Sequence, residues 1–476
     1  MTNTEKNFRI ESDLLGSREI PNEALYGVQT LRGIENFQIS NFRLSAYPEF
    51  IKGLAITKWA AAMANCELGV ISAEKEQAII GACKEMIDGK LDAHFPIDMI
   101  QGGAGTTTNM CANEVIANRG LQLMGHNPGE YEYLSSHDDV NCAQSTNDAY
   151  PTSIHVGLWL ANMRLKEHLM PVIKALHDKG EEFKQILKIG RTQLQDAVPM
   201  TLGQTFHGFA SILEDEIKHL DEAAADFLTV NMGATAIGTG LTAEPGYAEK
   251  CVAAMCKITG FEFSLSQDLV GATSDTSCLV GYAAALKRLA VKLNKICNDL
   301  RLLSSGPRCG LGEINLPPMQ PGSSIMPGKV NPVIPEVMSQ VCYKVMGNET
   351  CVTMAGDAAQ MELNAMEPVM AQCDFESIDL MCNGLDTLLS RCITGITANV
   401  DRCDRYVRDS ISIVTALNPV IGYDHSTEIA KEALSTGRSV YDLVLEHGIL
   451  SKEDLDFILL PENMIKPVKL DIKPLK

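Results

Sequence analysis

The sequence predicts an all-α, mainly helical protein whose long helices gather into a central bundle. Three observations carry this reading: apolar residues spaced three and four apart over long stretches, few alternating segments of strand type, and turn-forming residues confined to a few clusters. From Tyr282 the apolar positions are Leu286, Leu289, Leu293, Ile296, Leu300 and Leu303, a heptad seam on a rod about 30 Å long. A second rod carries Phe206, Phe209, Leu213, Ile217, Leu220, Ala224 and Phe227. A third is expected to start near Pro151 and to carry Ile154, Leu158, Leu165, Leu169 and Leu176, with a kink at Pro171. Rods of this length suit a bundle. Ala284, Ala285 and Ala290 beside the first seam let other helices approach closely, which points to burial on more than one side and to assembly through the bundle.

Turn residues cluster at 102–113, 238–246 and 306–332. After about Asn399 the helical patterns shorten, and a Pro- and Lys-rich tail begins at Pro461. Three domains are expected: a mixed, mostly helical one over 1–144, the long-helix domain over 145–400, and a small helical one over 401–476.

A chain of 476 residues with 45% apolar and 21% charged residues is too long for a single core and too apolar to be disordered. No window reaches the roughly 18–20 uncharged apolar residues of a membrane helix. The polar start shows no signal-peptide pattern, so a cytoplasmic protein is expected. Forty Lys+Arg against sixty Asp+Glu give a net charge of −20, which repels nucleic acid. The same field repels a small dicarboxylate, so such a ligand needs a locally positive pocket. Fifteen cysteines without a C-x-x-C pair read as reduced thiols. H-E-x-x-H is absent, His137-Asp138-Asp139 reads as a solvated loop, and no structural metal site is expected.

Four segments are candidates for chemistry. Gln320–Pro332, with three prolines and two glycines, is an irregular loop. It is not a phosphate loop, because five residues separate Gly322 from Gly328 and Val330 follows Lys329. It offers hydroxyls, the Lys329 ammonium and the Asn331 amide, groups that suit an anionic substrate. Asn331 also suits a helix N-cap, with Pro332 or Pro335 at the first helical position and Glu336 in the first turn. Gly102–Asn109 offers hydroxyls and accessible N–H groups, Gln144–Asp148 reads equally as a helix cap, and Gly190–Ala197 equally as an interhelical turn.

Together, in this order, the four segments resemble the aspartase/fumarase superfamily. Its signature G-S-S-x-M-P-x-K-x-N is intact at Gly322–Asn331, and the likeness extends from Tyr26–Arg32 to the C-terminal segment. Ile34–Phe37, Gly190–Met200 and Asn331–Glu336 place it on the ammonia-lyase side. The resemblance implies a carbon–nitrogen lyase that converts L-aspartate reversibly to fumarate and ammonium. It implies a homotetramer whose active sites are shared between subunits. It assigns Ser323 as the base, and Thr106, Ser145, Thr146, Asn147, Thr192, Gln193, Ser324, Lys329 and Asn331 as substrate-binding groups. Glu336 and Arg32 are supporting, and Arg18 is a lesser candidate for charge balance. No cofactor is required; a divalent cation such as magnesium activates some members, and nothing in this sequence marks its ligands. Many fumarases carry histidine where this chain has Gln193, so a class II fumarase is the alternative. Loss of ammonia needs no extra proton, whereas loss of hydroxide profits from an acid.

Overall fold

The computed structural model describes residues 7–475. The chain opens on an antiparallel hairpin, β1 (Phe8–Asp13) and β2 (Gly16–Pro21), followed by α1 (Val28–Asn36), α2 (Pro48–Glu67), α3 (Ala73–Ile87), α4 (Thr106–Leu123) and α5 (Thr146–Glu182). A second hairpin pairs β3 (Leu187–Thr192) with β4 (Gln195–Thr201). Next come α6 (Leu202–Ala224), β5 (Thr229–Val230), α7 (Tyr247–Thr259), β6 (Ser264–Leu265), α8 (Leu269–Ser274), α9 (Ser277–Leu303) and β7 (Ile314–Asn315). The last stretch holds α10 (Val333–Asp357), α11 (Glu367–Arg391), β8 (Thr397–Ala398), α12 (Val400–Asp409), α13 (Val414–Thr436), α14 (Val440–Glu446), α15 (Lys452–Ile458) and α16 (Pro461–Met464). The fold is mainly helical. Among the described residues the strands form only two-stranded pairs.

The rods are where the spacing predicts them. The six seam residues Leu286 to Leu303 lie on α9 and are all buried. On the second rod Ile217 is half-buried and the other six positions are buried, Phe227 in a tighter turn just beyond α6. The third differs: α5 begins at Thr146, not near Pro151, and runs 37 residues through both Pro151 and Pro171. Its early start has a local cause. Asp148 accepts the Ser145 N–H at 2.9 Å while Ser145 Oγ accepts the Asn147 N–H at 3.2 Å, a capping box that nucleates the helix before the proline.

Contacts divide the chain into two compact units. One holds the chain up to Glu167 with Glu216–Ala290 and Cys342–Cys382. Its core joins Ile56, Ala60, Ala61 and Ala64 of α2 to Val156 of α5 and to Tyr247, Cys251 and Met255 of α7. Phe50 stacks on Phe375 at 5.1 Å. The other holds His168–Asp215, Val291–Val341 and the chain from Asn383 on. Its C-terminal helices enclose Ile189 of β3 among Leu417, Ile421, Leu443, Val444 and Leu455, which seats the second hairpin. All fifteen cysteines are free thiols, most of them buried. No described helix is long and apolar enough to cross a membrane.

Candidate active site

In the first unit, Thr106 is the first residue of α4 and is exposed. The segment read as a loop thus becomes helix at its fifth residue, three before Asn109. Gly105 caps that helix with φ +88°, and a Cβ there would lie 2.5 Å from the ring of buried Tyr150. Glycine is required twice over, by conformation and by space.

One turn further, Asn109 donates from Nδ2 to Thr146 Oγ1 at 3.3 Å, joining the helix of Thr106 to the start of α5. Asn147 donates to the Ala236 carbonyl at 2.8 Å. Asp148 behind them accepts four backbone N–H groups, from Ser145, Ala149, Gly233 and Thr235. Burial still pushes its pKa up to about 6. Ser145, Thr146 and Asn147 therefore belong to one polar framework, whereas the Thr106 hydroxyl donates to the Gly103 carbonyl at 2.7 Å, at the head of the helix that Asn109 ties to it.

Beneath that framework lies a group that the sequence reading missed. Lys58 of α2 is fully buried, and its ammonium donates to Asn109 Oδ1 (2.7 Å), Gln144 Oε1 (2.8 Å) and Asn141 Oδ1 (3.1 Å). Three donors meet three neutral acceptors, so the charge is solvated by amides. Burial pushes its pKa down to about 7, against the attraction of Asp148. The available signal was a lysine inside a run, Leu54 to Ala64, that apart from Thr57 is otherwise apolar, on a helix buried around most of its circumference.

The folded Lys58 value lies below the ordinary 10.5, so between pH 7 and 10.5 the unfolded chain holds a proton that the folded one lacks. Stability from this group rises with pH across that window, by up to about 1.4 kcal/mol per unit. We expect the stability difference, wild type minus Lys58→Met, to grow in favour of wild type from pH 7 to pH 9. Urea unfolding at three pH values checks this; a flat or falling difference refutes it.

Arg32 and Arg18 have partners of their own. Arg32 grips Asp13 with two bonds of 2.7 and 2.6 Å and also donates to the Gly16 carbonyl, tying α1 to the first hairpin. The Arg32 guanidinium holds the Asp13 carboxyl below its ordinary pKa. Arg18 faces Glu35 at 3.3 Å. Asp139 is buried and bound by Lys75 at 2.7 Å, so it does not sit on a solvated loop as the sequence reading had it.

In the second unit, Thr192 and Gln193 lie at the tip of the β3–β4 hairpin, not in an interhelical turn. The two-residue turn is Gln193-Leu194, with φ +54° and +63°. Both are left-handed and neither is glycine, the geometry of a hairpin turn usually given to Asn-Gly. Such positions cost about 1 kcal/mol or more each and persist where the surroundings enforce them. Here Arg191 at the base of the tip binds buried Glu313 at 2.6 Å, and Lys188 stands 3.4 Å from the same acid.

The signature loop closes on itself. The Gly322 N–H donates to the Lys329 carbonyl at 2.7 Å, and Asn331 Nδ2 donates to the Gly322 carbonyl at 2.9 Å. A Cβ on Gly322 would fall 2.8 Å from the Lys329 oxygen, so only glycine permits this closure. Asn331 thus pins the loop and does not cap α10, which starts at Val333 with Glu336 in its first turn. Ser323 Oγ accepts two main-chain hydrogen bonds, from Ile325 at 3.2 Å and Met326 at 3.0 Å. Ser324 and Lys329 are exposed. Lys329 and Asn331 also line a cleft of ≈ 630 Å³ that includes Arg301 and Ser305. Among the described residues no group of three or more His, Cys, Asp or Glu is placed to hold a metal ion.

Residues 16–347 match the family described as Lyase, and residues 413–466 match that described as Fumarase C C-terminus. The aspartate ammonia-lyase of Pseudomonas aeruginosa is 55% identical over 460 residues, 96% of this chain and 97% of that protein. That of Escherichia coli is 53% identical over 462 residues, 97% of each. A crystal structure described as fumarate lyase:delta crystallin from Brucella melitensis bound to cobalt superposes with TM-score 0.93 at 49% identity, covering 97% of this chain and 100% of that one. A class II fumarase from Schistosoma mansoni superposes with TM-score 0.89 at 32% identity, covering 96% and 99%. With these matches running along nearly its whole length, the chain belongs to the aspartase/fumarase superfamily of lyases and stands within it among the aspartate ammonia-lyases.

Proposed function

We propose that the protein is a carbon–nitrogen lyase that interconverts L-aspartate with fumarate and ammonium, using Ser323 as the base. The hard step is removal of a weakly acidic proton from the carbon next to the β-carboxylate. The electron pair left behind spreads onto that carboxylate as an enediolate, then forms the double bond as the C–N bond breaks. Nitrogen keeps the bonding pair, leaves as ammonia and takes a proton from water. Catalysis needs a base in its ionised form and donors where the charge grows.

The observation that carries the reading is the pair of N–H groups, from Ile325 and Met326, directed at Ser323 Oγ. Hydrogen bonds to the charged form favour that form, so this turn lowers the cost of a serine alkoxide. In the proposal Thr106, Ser145, Thr146, Asn147, Thr192, Gln193, Ser324, Lys329 and Asn331 hold the two carboxylates, with Glu336 and Arg32 supporting. These are neutral donors with one ammonium, which bind a dianion without trapping it. Loop closure would exclude water before the proton moves.

The assembly belongs to the proposal too: a cytoplasmic homotetramer of three-domain subunits, 1–144, 145–400 and 401–476, whose active sites draw on several subunits. Exposed apolar side chains on the long helices, among them Val291, Tyr343 and Met354, support an interface. No cofactor is required in this reading, and activation by magnesium is kept with no ligands assigned.

A class II fumarase on the same scaffold is the competing reading. Gln193 opposes it, since an amide at the hairpin tip cannot protonate a departing hydroxide. We expect fumarate formation from L-malate at no more than about a thousandth of the rate from L-aspartate. Parallel assays by ultraviolet absorbance decide, and comparable rates on the two substrates overturn the assignment.

A further inference from the structure

A cavity of ≈ 340 Å³ opens in the first unit beside His155 of α5 and Cys278 of α9, and none of the groups assigned to catalysis lines it. Its walls carry three acids, Asp226, Asp275 and Glu367, and among the described residues no lysine or arginine. Glu367, the first residue of α11, is 3% exposed, and within the described residues its carboxyl has neither a hydrogen-bond donor nor a cation. A buried carboxyl left without a partner is costly, so one facing a cavity is an unfilled half of an interaction.

The neighbouring pair is neutral. Cys278 Sγ lies 3.1 Å from His155 Nε2, and His155 Nδ1 lies 3.0 Å from the Thr229 carbonyl oxygen. A carbonyl can only accept, so Nδ1 carries the proton and Nε2 takes the thiol hydrogen. Burial pushes His155 down to about 4 and the Cys278 thiol far up, so neither brings charge near neutral pH. Buried Tyr150 of α5, which also faces Glu367, is likewise held protonated. Asp226 and Asp275 are the other titratable groups that line the cavity.

We propose that this cavity binds an ammonium group, as free ammonium or as the –NH3+ of a small primary amine, with Glu367 as its counter-ion. A metal ion fits worse, because no three His, Cys, Asp or Glu among the described residues are placed to hold one. An amino acid fits worse too, since its carboxylate would meet three acids. The volume exceeds that of one ammonium ion by roughly tenfold, given about 30 Å³ for a molecule of that size. Water or a short alkyl chain along Pro151, Ile154 and Leu279 fills the rest. Burial holds the Glu367 proton up to about pH 8, so a cation that enters below that pH displaces a proton. The inference rests on this cavity alone; the proposed reaction adds only that ammonium would be its product.

Calorimetric titration of the full-length protein with ammonium, methylammonium, butylammonium and tetramethylammonium chlorides at constant ionic strength tests it without needing turnover. Ammonium and the primary amines should bind saturably, with proton release visible as a buffer-dependent heat. Apparent affinity should rise about tenfold per pH unit up to pH 8 and then level off. Glu367→Gln should weaken this binding at least about tenfold and abolish the proton release. Tighter ammonium than butylammonium identifies the free ion, and the reverse order an organic amine. Absence of saturable binding, equal affinity for tetramethylammonium, or an unchanged Glu367→Gln protein overturns the inference. Should that variant not fold, Asp226→Asn serves, with several-fold weaker binding expected and an unchanged affinity counting against the site.

Discussion

Ser323→Ala lowers kcat for fumarate formation from L-aspartate by about 10³-fold or more and leaves thermal unfolding where it was. The hydroxyl is the only group in the signature loop that two backbone N–H groups address, and with Ser323 as the proposed base its loss removes the proton acceptor. Those N–H groups lie in a largely exposed loop and turn to water instead, so the stability change should stay within about 0.5 kcal/mol. Together the outcomes separate a chemical role from a structural one. A variant that retained a tenth of wild-type turnover would remove Ser323 from the mechanism.

Gly105→Ala has the largest effect expected on folding, about 3 kcal/mol. A φ of +88° is strained for alanine, and the new methyl would stand 2.5 Å from the Tyr150 ring. That ring cannot retreat easily: it is buried against Phe50, 5.7 Å between centroids. The first turn of α4 would have to shift, and Thr106 is its first residue. Urea unfolding should show an earlier midpoint at unchanged slope, and KM for aspartate should rise. A destabilisation below about 1 kcal/mol would show that the turn yields more easily than its packing implies.

The long helices were legible because their burial follows a period that can be counted. Leu286 through Leu303 repeat every three or four residues, and each is buried on α9. The β3–β4 hairpin was not legible. Its turn, Gln193-Leu194, holds left-handed residues of types that carry no such signal, and Gly190 and Pro199 interrupt the alternation. The first hairpin hid for a related reason: its tip places Leu14 and Leu15 almost fully in solvent, where apolar residues read as core. The start of α5 was displaced by the proline at 151, although Ser145 and Asp148 announce the cap five residues sooner. Among candidate site residues, the signature loop and the Ser145–Asn147 segment were visible as hydroxyls and amides in turn-forming contexts. Lys58 was not, since its role depends on Asn109, Asn141 and Gln144, distant in sequence and joined only by folding. Arg32 could be named as a cation, but its engagement with Asp13 needed the first hairpin.

Asp148 gathers four amide hydrogens on one carboxylate at the start of α5. Ser145, Thr146 and Asn147 are therefore already frozen in place before any ligand arrives, and the entropy of ordering them is charged to folding and not to association.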